Sequence, residues 1–320
     1  MYLPGLAMDH SYLLNCVLSV AALHLARLHS SPLHRRAMTT LAASRMNHAL
    51  STYRAELTNV TRDNAAALFA SATLTAVYLF RTTVLDMQSL RSNMPRTPPE
   101  STISAMLSCA LRPIWGLRGP LAVLMSGWTY VLTGSMHAVA ARKWWPQEPI
   151  VPATRAAVIE DARLADLQVR GEECMHALGL LREAYALVSH LTQPERYPPT
   201  TSIPYANDDA DTTTLSDRGA LFVWATRISR GFLARLEDRD HDALVILAHY
   251  AVLPGRVRNV WWLEGLGTEI VTAVATVLGE KEWARIEWPA EVVGVDLNDL
   301  GSVRWDGLVG RPEEMGMDVI

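Results

Sequence analysis

Apolar residues in this chain recur at spacings of three and four and almost never at two. Leu13, Val17, Val20, Ala21, His24 and Leu25 mark one such face; Leu41, Met46, Leu50, Tyr53 and Leu57 mark another. A half-buried strand would alternate every second residue, and no run of that kind exceeds a few positions. The pattern therefore predicts an all-α fold, a single large helical domain of about ten to twelve helices. Without a sheet there is neither a dinucleotide crevice nor a barrel mouth to hold a site.

The spacing predicts helices over Asp9–His29, His34–Val60 and Asp63–Arg81, with Asp63 as a cap. Pro95, Pro98 and Pro99 make Ser92–Ser101 a loop, and Pro113 and Gly119-Pro120 are expected to punctuate the helical stretch that resumes near Ile103. Further helices are expected over Leu121–Arg142, Ala153–Gln168, from Gly171 to Leu191, and over Ser216–Glu237, Asp240–Val252, Val257–Leu278 and Glu280–Ile286. The longest irregular stretch, Thr192–Ser216, carries Pro194, Pro198, Pro199 and Pro204. The domain is read as residues 1–292, followed by a Gly- and Asp-rich tail over 293–320.

Composition narrows the function classes. Apolar residues are 49% of the chain, enough for a sizeable core, and the net charge of −4 makes no electrostatic case for direct nucleic-acid binding. Cys16, Cys109 and Cys174 are too scattered to grip zinc, and their sparse, odd count fits a reducing compartment. No secretory signal is evident, and the most apolar segment, Leu13–Leu28, is interrupted by Asn15, Ser19, His24 and Arg27. A cytoplasmic or nuclear protein with no membrane span is expected.

Several segments occur together in a telling order. They are H-S-Y-L-L-N-C-V-L-S-V-A-A-L-H-L-A (His10 to Ala26), H-A-L-S-T-Y-R-A-E-L (His48 to Leu57), W-G-L-R-G-P-L-A-V-L (Trp115 to Leu124), L-V-I-L-A-H-Y-A-V-L (Leu244 to Leu253), W-W-L-E-G (Trp261 to Gly265) and I-E-W-P (Ile286 to Pro289). In that order they resemble the C-terminal regulatory domain of fungal zinc-binuclear-cluster transcription factors, of the sterol uptake control type. The resemblance implies an all-helical module that forms a homodimer and encloses a buried apolar pocket for a sterol or terpenoid. Such factors carry a six-cysteine zinc cluster that reads DNA. This sequence begins with the helical part, so DNA recognition is not expected in this chain.

Candidate ligand-binding residues follow from the aromatic-rich C-terminal third: Trp224, His249, Tyr250, Trp261 and Trp262. Large aromatics offer apolar area with one polar handle each, which suits a sterol or terpenoid with a single oxygen; ordinary helix packing is the simpler explanation for any one of them. A second reading makes the chain a stand-alone enzyme of secondary metabolism, a terpene or pericyclic cyclase. Glu264 would then act as acid or cation stabiliser, and Arg227 and Arg230 would grip an anion from one helix face. In that reading Asp208, Asp209 and Asp211 are candidate Mg2+ ligands, although they sit in a Pro-rich loop where a solvated acidic turn suffices. A third reading is a dimerising interaction protein.

Overall fold

The computed structural model describes residues 3–92, 98–137, 150–194, 213–215, 218–257 and 260–300. The described residues include twelve α-helices and two short 3-10 segments, so the chain is all-α as its periodicity predicts. In chain order the helices are α1 (Leu3–Asp9), α2 (Ser11–Leu28), α3 (Pro32–Glu56), α4 (Ala65–Ser92), α5 (Glu100–Thr133), α6 (Arg155–Ala165), α7 (Glu172–Leu191), α8 (Val223–Arg227), α9 (Arg230–Glu237), α10 (His241–Gly255), α11 (Leu266–Leu278) and α12 (Glu287–Val293). A three-residue antiparallel ladder pairs β1 (Thr192–Pro194) with β2 (Thr213–Leu215).

The innermost helix is α10. Every residue from Ala243 to Pro254 is buried, because α7, α11 and α12 pack around it. Its start was legible: the Asp240 carboxylate caps it by accepting from the Ala243 amide at 3.0 Å. Next to it, α11 comes so close that a Cβ on Gly267 would lie 2.6 Å from the Ala251 carbonyl oxygen. Glycine is required there by contact between backbones. In turn α11 leans on α4 and α5, and Glu269, buried in its first turn, pairs with Arg91 of α4 at 3.2 Å. Burial is the larger influence on that carboxyl and holds its pKa above the ordinary value. At the other end, α2 and α3 form an antiparallel pair laid over α4, pinned where the Ser19 hydroxyl donates to the Ala42 carbonyl at 2.7 Å.

Several boundaries differ from expectation for identifiable reasons. Pro113 and Pro120 do not interrupt α5, which runs through both and kinks only at Gly127. A proline at 113 removes the donor that would serve the Cys109 carbonyl, and the Thr83 hydroxyl of α4 reaches that oxygen at 3.4 Å. Asp63 is not the cap of α4; Asn64 and Thr61 tie the preceding turn instead, and the helix continues past Arg81 to Ser92. The expected helix from Ser216 is broken, because Ile228 is extended and Ser229 caps a new helix by accepting from the Phe232 amide. The expected helix from Val257 starts only at Leu266, behind Gly265 at φ +84°.

By length and composition, α2 and α4 are each apolar enough to cross a membrane, with 44% and 50% of the most apolar window buried in the fold. Asn15, Ser19 and His24 interrupt the apolar run of α2 without bringing its mean hydropathy below that of a span. Both helices are packed against neighbours, as core helices of water-exposed proteins also are.

Candidate functional site

The aromatic residues singled out in the sequence fall into three separate groups. Trp224 is fully buried on α8. Its indole nitrogen donates to the Ala177 carbonyl at 2.9 Å, while Tyr250 stacks on one face at 4.4 Å and Phe232 meets it edge-on at 5.8 Å. Burial pushes the Tyr250 phenol well above its usual pKa. Trp261 and Trp262 are adjacent in the turn before α11 and diverge. Trp261 lies against His24 of α2 at 4.8 Å, whereas Trp262 stacks with Phe80 of α4 at 5.4 Å and with Phe222 at 6.0 Å. Consecutive residues in a turn point apart, so the Trp pair serves two contacts.

The third group surrounds His249. Its ring is buried, with Nδ1 2.8 Å from the Val245 carbonyl, and burial pulls its pKa down to about 4, so the imidazole is neutral at neutral pH. The Tyr185 hydroxyl donates to the His249 carbonyl at 2.7 Å, and Trp288 of α12 lies 5.6 Å from the imidazole. The guanidinium groups of Arg163 and Arg256 sit over the Trp288 ring at 5.3 and 5.7 Å, and Arg256 also pairs with Glu160 at 2.6 Å. The result is a polar and aromatic column from exposed arginines down to a buried histidine. Tyr185, Arg163 and Glu160 were missed in the sequence; Trp288 was visible in I-E-W-P but carried no assigned role.

The residues proposed for catalysis are occupied otherwise or lie apart. Glu264 pairs with Arg27 of α2 at 2.8 Å, and its backbone carbonyl accepts from Arg81 at 3.4 Å. The Arg27 bond is the chief cause that holds its carboxyl below the ordinary range. Arg227 pairs with Glu183, while Arg230 is exposed at the start of the next helix. The break at Ile228–Ser229 places the two arginines on different helices, so the shared helix face does not exist. Asp208, Asp209 and Asp211 lie outside the described residues. Among the described residues no cluster of three or more His, Cys, Asp or Glu is arranged to hold a metal ion. Cys16, Cys109 and Cys174 are buried free thiols on separate helices.

A cavity of about 360 Å³ opens elsewhere, between the segment before α6 and the outer face of α7. Ile150, Val151, Pro152 and Ala186 give it apolar lining, and the Arg182–Asp161 pair, doubly bonded at 2.7 and 2.8 Å, gives it a charged part. A Cβ added to Gly179 would meet nothing within 4 Å, so the groove is open at that point. Its volume lies at the small end of the range for organic ligands. None of the five aromatic candidates lines it.

No family model matches the chain, and no solved structure matches it. A Zn(2)-C6 fungal-type transcription factor of Gibberella zeae is 23% identical over 308 residues, covering 92% of this chain and 56% of that protein. The chain is related to a fungal transcription factor. It spans little more than half of that relative's length. The similarity reaches the transcription-factor class and not the sterol uptake type in particular.

Proposed function

We propose that this chain is the helical regulatory module of a fungal transcription-factor-like protein, acting in the nucleus or cytoplasm, and that it responds to a hydrophobic small molecule of sterol or terpenoid type. The observation that carries the reading is the extent of the similarity: it runs through nearly the whole helical domain. In this reading the α6–α7 groove receives the ligand, its apolar lining taking the apolar body and the Arg182–Asp161 pair meeting a single oxygen. A homodimer and DNA recognition outside this chain complete the proposal. Occupancy would bias α6 against α7, the kind of two-state element through which a ligand shifts a population.

The test uses ergosterol and farnesol as probes in a thermal-shift titration, with Gly179→Leu as the control. Replacing a mid-helix glycine by leucine stabilises the empty protein by about 0.5–1 kcal/mol, while the new side chain fills the groove. A ligand-dependent rise in Tm for the parent chain that disappears in G179L supports the site. An equal rise in both moves the ligand elsewhere, and no rise with either probe removes the sterol and terpenoid assignment. Fusion to a heterologous DNA-binding domain, read by a reporter, checks the regulatory half: output must change when the probe is added.

A further inference from the structure

The α2–α3 hairpin has a charge pattern unlike the rest of the chain. From His10 to Ala55 there is no Asp or Glu, although the whole chain contains 33 acids. The same stretch holds five arginines: Arg27, Arg35, Arg36, Arg45 and Arg54. With five positive charges here and −4 overall, the remainder carries −9. Arg27 is neutralised by Glu264 from the neighbouring turn. Among the described residues Arg35, Arg36, Arg45 and Arg54 form no ion pair, and Arg45 donates only to the Asn15 side-chain oxygen at 3.3 Å.

The corner between the two helices concentrates this charge beside exposed apolar side chains. Leu28 ends α2 and is 61% exposed; Leu33, one residue into α3, is 75% exposed; Leu25, one turn back, is 47% exposed. The corner is built to hold shape. The His29 amide donates to the Leu25 carbonyl at 3.1 Å, Pro32 fixes the first turn of α3, and the His29 and His34 rings stack at 5.4 Å. Arg35 and Arg36 follow at once. Leu18 and Leu41 are also exposed and flank the Ser19–Ala42 hydrogen bond, one on each helix, which extends the apolar surface down the hairpin.

We propose that the α2–α3 hairpin docks on a lipid bilayer carrying anionic headgroups, with Leu28 and Leu33 inserted among the acyl chains and Arg35 and Arg36 at the phosphates. Charge complementarity selects the partner. A second copy meeting the same face would bring cation against cation, so a symmetric dimer through this hairpin is disfavoured. Nucleic acid would satisfy the arginines but leave the corner leucines against polar groups. An anionic interface satisfies both the exposed leucines at the corner and the cations next to them, in a stretch without an acid. Arginine stems can run along the apolar layer while their heads stay at phosphate level. This inference is independent of the ligand reading above, since the hairpin and the α6–α7 groove share no residue.

The test is sedimentation of the full chain with vesicles of phosphatidylcholine alone, or of phosphatidylcholine with one-third phosphatidylserine. The chain should sediment with the second and not the first, and raised salt should release it. Each arginine near an anionic surface strengthens binding about fivefold, so R35Q/R36Q should weaken it roughly thirtyfold. L28S/L33S should abolish binding while leaving the circular dichroism spectrum and Tm unchanged, because both side chains already face solvent. Failure to bind anionic vesicles overturns the proposal, as does full binding by L28S/L33S. Retention on duplex DNA in preference to vesicles would assign the face to nucleic acid. A doubled mass in solution that the leucine variant returns to monomer would assign it to a second copy.

Discussion

Helices α10 and α3 differ in composition, α10 almost wholly apolar and α3 carrying four arginines, and are held by opposite means. All of α10 from Ala243 to Pro254 is buried, whereas α3, at 25 residues, buries only Ala42, Met46, Ala49 and Tyr53. A helix that is apolar on every side is committed to a core, and one with a narrow buried stripe is an attached outer layer. The principal core extends from α10 through α11 and α7 to parts of α4 and α5, and the hairpin joins a second cluster with the start of α4 through Tyr12, Leu13 and Tyr53, besides smaller satellite clusters. Local stability follows buried contact, so the two regions should open with different free energies.

The comparison can be broken most sharply at Trp224. Its truncation to alanine removes the stack on Tyr250 and the bond to Ala177, and should cost about 3–5 kcal/mol in urea unfolding. A cost near that of a surface change would mean that this part of the interior is not packed as described. A pH scan comes next. The folded pKa of His249 is depressed to about 4, so its contribution is fully present above its ordinary value near 6.5 and is lost as pH falls from there to about 4. The loss should amount to about 3 kcal/mol, and His249→Leu should flatten that limb of the pH–stability curve. Unchanged slope in the variant would remove His249 as the source.

Gly267→Ala is smaller. Its Cβ would press on the Ala251 carbonyl and the Gly255 backbone, forcing α10 and α11 apart at about 1–3 kcal/mol. A neutral result would show that the pair tolerates separation. The smallest effect belongs to the hairpin. Glu264→Gln removes the exposed pair with Arg27, and should cost below about 1 kcal/mol globally. Hydrogen exchange should nevertheless quicken in α2 and α3 and not in α10. Equal change in both would make the two regions one cooperative unit.

How far the sequence could be read differs between these regions for a physical reason. The start of α10 was legible because a cap is local: Asp240 meets an amide three residues on. The continuity of α5 through Pro113 was not, because the Thr83 hydroxyl that meets the Cys109 carbonyl comes from another helix. The aromatic residues of the C-terminal third stand out in the sequence as candidate ligand contacts. Their division into three groups depends on side-chain directions and partners, such as Phe80 for Trp262 and His24 for Trp261, that lie far along the chain. Trp288 gains its arginines the same way, from α6 and the end of α10.

By itself the sequence determined the helical class, the cap at Asp240 and the acid-free run from His10 to Ala55, since period, capping and charge are properties of neighbouring residues. Tertiary structure alone decided that Glu264 clasps Arg27, that His249 is a buried neutral base near Trp288, and that the open cavity lies between α6 and the outer face of α7. Those outcomes depend on which faces meet across long stretches of chain, and no local preference encodes such a meeting.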